Sequence, residues 1–268
     1  MSNTELFWRH WRAPLALFAV LAPILFITPL DLGIAHALFF DESHAQWIGA
    51  DSWWTNELLH TGGAWFIRTL VLAATALWAC TWWRPQLTEL RRPALYFTIA
   101  VVLSVSVVGA LKMLTNVDCP RDLTEFGGAF PFVPLFSDRP DGLRAAHCFP
   151  AAHASCGYAL LALYFVLLER GRSVSRLGKA AGLGLGLLFG IAQQSRGAHF
   201  LSHDVWSAML VWTISLSLYT FGFKARLWNF APLSSAQWEC NEANAAAFRL
   251  PVDGNADLPH RVGPIPGT

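Results

Sequence analysis

Six apolar stretches, at roughly 14–31, 63–83, 93–114, 151–168, 178–194 and 203–222, constrain this chain more than any other feature. Each reaches or approaches the length of about 20 residues that a helix needs to cross a bilayer. Inside lipid every backbone N–H and C=O must be satisfied within the segment, so such stretches fold as helices. The expected class is therefore all-α: a polytopic membrane protein, six transmembrane helices in one bundle. Composition agrees, because only 14% of the 268 residues are charged, against about a quarter in a soluble domain. Many of the 13 Trp fall near the ends of these stretches, where indoles anchor at the membrane interface. The fifth stretch carries Gly178, Gly182, Gly184, Gly186 and Gly190, which suits close packing on a neighbouring helix. Arg9 and Arg12 precede the first, and no small-residue cleavage site follows it, so it reads as a retained span rather than a signal peptide.

Lys and Arg placement orients the bundle. Arg9 and Arg12, then Arg84, Arg91 and Arg92, then Arg170, Arg172, Arg176 and Lys179, then Lys224 and Arg226 all fall on one side if six spans exist. That side, with both termini, is expected to be cytoplasmic. The opposite connections hold Asp31, Asp41, Glu42, Asp51 and Glu57, and the long segment Thr115 to Cys148 between helices three and four. A connection of that length is expected to be functional, capping or framing a site. Residues 32–60 are expected to lie along the membrane surface. Residues 1–228 read as one membrane domain and 229–268, with Pro251, Pro259, Pro264 and Pro266, as a flexible cytoplasmic tail. Cys119 and Cys148 both lie in the long outer segment, and an oxidising compartment would permit a disulfide between them. Cys80, Cys156 and Cys240 read as free.

The same topology brings Lys112, Arg121, His153, Arg196, His199 and His203 to the outer surface. Ionisable groups at a membrane boundary are costly to place and mark functional sites. His199 and His203, four apart, are expected on one helical face, one turn apart. Lys and Arg together suit a phosphate, Arg through forked hydrogen bonds and Lys as a point charge. One histidine then serves as nucleophile on phosphorus and another as acid to the leaving oxygen. Fixed cations can neutralise the developing charge, so no metal and no cofactor is demanded.

These clusters resemble the three-part signature of the type 2 phosphatidic acid phosphatase superfamily, the lipid phosphate phosphatases: K-x6-R-P, then P-S-G-H, then S-R-x5-H-x3-D. The resemblance covers about residues 60–222. It implies a six-span fold, a phosphohistidine on the last-motif His, the middle His as acid, an Asp that orients the nucleophile, and phosphate held by Lys and Arg. Carried over by position, Lys112 and Pro120 keep the first spacing, while Cys119 stands where the family has Arg and Arg121 follows the proline. Pro150 and His153 hold the second motif, with Ala151 and Ala152 in place of Ser-Gly. Ser195 and Arg196 open a compressed third motif, in which His203 stands at the Asp position and Asp204 follows. Two registers are open. His199 is the nucleophile with His203 or Asp204 as its orienter, or His203 is the nucleophile; the string Gly197 to Ser202 favours His199.

Other readings exist for single residues. Lys112 and Arg68 read alone as snorkelling side chains, and Arg121 with Asp122 as a loop ion pair. For the whole chain, the alternatives are a lipid phosphotransferase on the same site, a metalloenzyme using His153, His199, His203 and Asp204, and an anion transporter. The favoured expectation is a bacterial inner-membrane lipid phosphatase facing the periplasm. Its partner is a membrane lipid phosphate monoester or pyrophosphate, with no nucleic acid.

Overall fold

A computed structural model describes residues 2–134, 137, 139, 140 and 142–224. The tail from 229, together with Arg226 and Cys240, lies outside the described residues. The chain is mostly helical, with one two-stranded sheet. The elements are α1 (Asn3–Ile27), α2 (Leu30–Leu38), β1 (Phe40–Asp41) paired antiparallel with β2 (Gln46–Trp47), and α3 (Gly63–Cys80) entered through a π-helical turn, Trp54–Gly62. There follow α4 (Arg91–Leu114), α5 (Ala152–Tyr158), α6 (Ala162–Val166), α7 (Arg172–Ser195) and α8 (Leu201–Ser217).

Four helices are long and apolar enough to cross a membrane: Trp54–Cys80, Pro85–Leu114, Arg172–Ser195 and Leu201–Phe223. The pair Asn3–Leu25 and Leu30–Leu38, bent by 82°, passes the same test jointly, and Ala152–Val166 is a shorter apolar helix. Several boundaries differ from those expected. The first helix begins at Asn3, so Arg9 and Arg12 lie within it rather than before it; Ser2 and Glu5 form a reciprocal capping box that starts it early. Residues 32–60 comprise α2, the hairpin and most of the turn that opens the α3 span.

Packing explains the glycines of α7. Its most extensive neighbour is α5, and a Cβ on Gly157 of α5 would lie 2.7 Å from the Gly186 Cα. Backbone meets backbone there, which only small residues allow. Tyr96, Phe165, Phe189, Leu161 and Leu216 fill the main core, and the Tyr96 hydroxyl donates to the Ser215 carbonyl at 2.9 Å.

A second, smaller core of Ala35, Trp47, Leu123, Phe126 and Phe200 joins α2, the hairpin, the long connection and the α7–α8 loop. The connection itself is tied down by polar contacts. Arg139 forms a forked ion pair with buried Asp118 and also donates to the carbonyls of Asn116 and Arg144. Cys119 and Cys148 are joined by a disulfide, and the Thr115 hydroxyl donates to the Phe149 carbonyl.

Candidate active site

The α7–α8 junction sets the geometry. Gly197 is in the left-handed region (φ 64°). Its N–H bonds to the Gln194 carbonyl and that of Ala198 to the Gln193 carbonyl, both at 2.9 Å. This paired arrangement ends α7 with Arg196 as the last capping residue. A side chain at position 197 would be strained by φ and would also strike the Trp47 indole. α8 starts only at Leu201, behind an extended Phe200. Phe200 has no side-chain oxygen to cap the helix, and the Asp31 carboxylate of α2 accepts the Ser202 N–H at 3.1 Å instead.

His199 is therefore in the loop and His203 in the first turn of α8, which corrects the expectation of two histidines on one helical face. Nor do Arg196 and His199 share a helix. The two rings still meet, Nδ1 to Nδ1 at 3.3 Å, and both are buried, at 5% and 4% exposure. Phe149 and Phe200 stand edge-on to His203. Burial, then the His203 ring and the Lys112 ammonium, hold the His199 pKa well below the ordinary histidine value. His199 is thus a neutral imidazole at neutral pH, with a lone pair available on one nitrogen.

Asp204 is placed elsewhere. Its carboxylate turns to α7, where Oδ2 accepts from Gln194 Nε2 at 2.7 Å, and it packs against Gly190. Of the two candidate orienters, His203 touches His199 and Asp204 does not. One helical position rotates a side chain by about 100°, enough to carry Asp204 to a different neighbour.

The cations converge. Lys112 ends α4, and Arg121 follows Pro120 in a 3₁₀ turn whose Arg121 N–H bonds to the Gly197 carbonyl at 2.9 Å. Arg121 acts electrostatically on both Lys112 and Arg196. The expected alternative of an Arg121–Asp122 pair is not what forms: Asp122 pairs with Arg144 at 3.0 Å. Among the described residues Lys112, Arg121 and Arg196 form no ion pair; Arg196 has only Gln193 Oε1, at 3.3 Å. Arg68, by contrast, lies exposed over the Trp65 ring.

His153, at the start of α5, places Nε2 at 2.9 Å from the Leu59 carbonyl. Its ring is stacked between His60 and Phe189. His153 and Lys112 both act electrostatically on His199. The sequence reading missed His60, Leu59, Asp31 and Gln194. The available signal for His60 was a histidine just ahead of the second apolar stretch, the same signature that singled out His199. Among the described residues no group of three His, Cys, Asp or Glu side chains is placed to hold a metal ion. The four-residue cage of the metalloenzyme alternative therefore does not assemble.

The sequence pattern of the PAP2 superfamily matches residues 93–227, half of the chain. This chain belongs to the PAP2 superfamily. Membership supports a phosphoric ester hydrolase at a membrane. The PAP2 match takes in Lys112, Arg121, His153, Arg196, His199 and His203 and begins after α3, so His60 lies outside it. No curated protein and no solved structure matches the chain.

Proposed function

We propose that this PAP2 protein is an integral-membrane lipid phosphatase that hydrolyses a lipid phosphate monoester or pyrophosphate through a phosphohistidine on His199. The observation that carries this reading is the cluster Lys112, Arg121 and Arg196, three cations with no carboxylate partner among the described residues, beside a buried histidine pair. Three like charges brought together repel one another, and a bound dianionic phosphate relieves that repulsion. Arg121 and Arg196 offer forked donors, and Lys112 a mobile point charge.

In this reading His199 carries its proton on Nδ1, which faces His203 Nδ1 at 3.3 Å, and its Nε2 lone pair attacks phosphorus. As that N–P bond forms, the bond from phosphorus to the lipid oxygen breaks, and His153 gives its proton to the departing oxygen. His153 then takes a proton from water as the water oxygen attacks phosphorus and the N–P bond breaks. Inorganic phosphate leaves, and both histidines return to their starting states. His203 does what a carboxylate does in a catalytic triad, fixing the tautomer and orientation of its neighbour.

The bent α1–α2 pair and the short α5–α6 segment, added to the four long helices, give the six spans of the proposed topology. Both termini are cytoplasmic and the cation cluster faces the periplasm of a bacterial inner membrane. The lipid tail stays in the bilayer while its phosphate reaches the cations. The test is phosphate release by the purified protein from a panel of phosphatidic acid, phosphatidylglycerol phosphate, polyprenyl pyrophosphate and lipid A, in EDTA. Activity that survives EDTA and disappears in His199→Ala supports the reading. Loss in His203→Ala with His199→Ala active moves the nucleophile, and no release from any lipid by wild type overturns it.

A further inference from the structure

We propose that His60 is a positioning residue for His153, and that the turn carrying it makes His153 Nδ1 the nitrogen that exchanges the proton with the leaving oxygen. The inference rests on the phosphatase reading for its catalytic part, while the ring geometry stands without it.

A carbonyl oxygen only accepts hydrogen bonds. The 2.9 Å contact between His153 Nε2 and the Leu59 carbonyl therefore fixes a proton on Nε2. That proton stays in place whether the imidazole is neutral or cationic. Whatever proton His153 gives up or recovers is consequently held on Nδ1, which has no protein partner among the described residues. In the forward step His153 is cationic, having taken a second proton onto Nδ1 from the monoanionic substrate phosphate, and that Nδ1–H proton goes to the lipid oxygen as that oxygen takes the electron pair of the broken P–O bond. In the return step the Nδ1 lone pair takes a proton from water as the water oxygen bonds to phosphorus.

Such a role requires a ring that does not turn over. His60 lies nearly flat on one face of His153, with centroids 4.8 Å apart and planes at 21°. Phe189 covers the opposite face at 4.7 Å and 30°. Gly63 makes room for Phe189, because a Cβ at that position would lie 2.6 Å from the ring. Leu59, His60 and Gly63 thus all serve one imidazole from α5. Two of them belong to the π-helical turn Trp54–Gly62, a rare geometry that recurs at functional sites. Rotating His153 by 180° would break the Leu59 bond. The charged groups acting on this pair are Lys112 and Arg196, and His199 lies within electrostatic reach of His153.

The experiment uses full-length protein in nanodiscs with ¹⁵N-histidine, comparing wild type, His60→Ala and His60→Phe, with His153→Gln to assign the resonance. Wild-type His153 is expected as the Nε2–H tautomer, retained in His60→Phe and averaged between tautomers in His60→Ala. With dioctanoyl phosphatidic acid, kcat is expected to fall about 10–100-fold in His60→Ala. KM stays within about twofold, the acid limb of the pH profile shifts, and His60→Phe restores most of the rate. An Nδ1–H tautomer in wild type overturns the assignment of the proton. An unchanged tautomer, kcat and pH profile in His60→Ala overturns the role of His60. If wild type releases no phosphate, the phosphatase reading fails, and the NMR comparison alone decides whether His60 holds the ring.

Discussion

Two sets of basic residues share this end of the molecule and are treated in opposite ways. Arg139 and Arg144, in the long connection, each have a carboxylate, Asp118 and Asp122 respectively. Lys112, Arg121 and Arg196 have none among the described residues. Arg121 and Asp122 are adjacent in sequence and still part company. Successive positions in their 3₁₀ turn point about 120° apart, so Asp122 reaches Arg144 while Arg121 is left beside Lys112 and Arg196. Compensated cations hold the connection in shape. Uncompensated ones repel one another, and in the proposed function a bound phosphate relieves that repulsion.

The largest expected effect is on the uncompensated side. His199→Ala lowers the rate of phosphate release by about 10³-fold or more, the scale seen when a nucleophile is removed, measured with saturating lipid phosphate. Arg196→Ala lowers kcat/KM by about 10²–10³-fold, while its Tm stays level or rises because a mutual repulsion has gone. A drop in Tm there would erase the contrast between the two sets. Arg139→Ala does the reverse: it leaves Asp118 buried and unpaired, a loss of about 3–5 kcal/mol, read by denaturant unfolding of the purified protein.

Acid sharpens the contrast further. The folded His199 pKa lies well below the ordinary value, so between the two values the unfolded chain binds more protons. The contribution of His199 is complete above the ordinary histidine range and declines as pH falls toward the folded pKa. Tm should fall over that window, and less steeply in His199→Gln. The smallest effect is that of Arg144→Ala. Its ion pair is partly solvated, worth about 1 kcal/mol or less, and the variant should unfold within about that margin of wild type.

Much of this was legible in the sequence. The helical membrane class is legible in the apolar stretches, four of which form helices long enough to cross a membrane, and the charges at their ends named the candidate residues that the fold brings near one another. The orienting contacts were not legible, because they depend on where helices start. His203 faces His199 only because α8 begins at Leu201, and that start depends on Asp31 from a distant helix. Asp204 lies one position beyond the family's His-x3-Asp spacing from His199, and a rotation of about 100° sends it to Gln194. His60 was hidden for a different reason. Its value lies in a flat ring and a neighbouring carbonyl, and a backbone carbonyl leaves no mark in a sequence.

The bond from Asp31 to Ser202 joins positions 171 residues apart. At a synthesis rate of about 5–20 residues per second, the carboxylate waits on the order of ten to thirty seconds for the amide it will cap. During that interval His199 and His203 do not yet exist as a pair, and the emerging chain passes through a bilayer of phospholipids with its chemistry unassembled. A clasp between the first and last parts of the bundle can close only once α8 has been made, so the contact between His199 and His203 forms late.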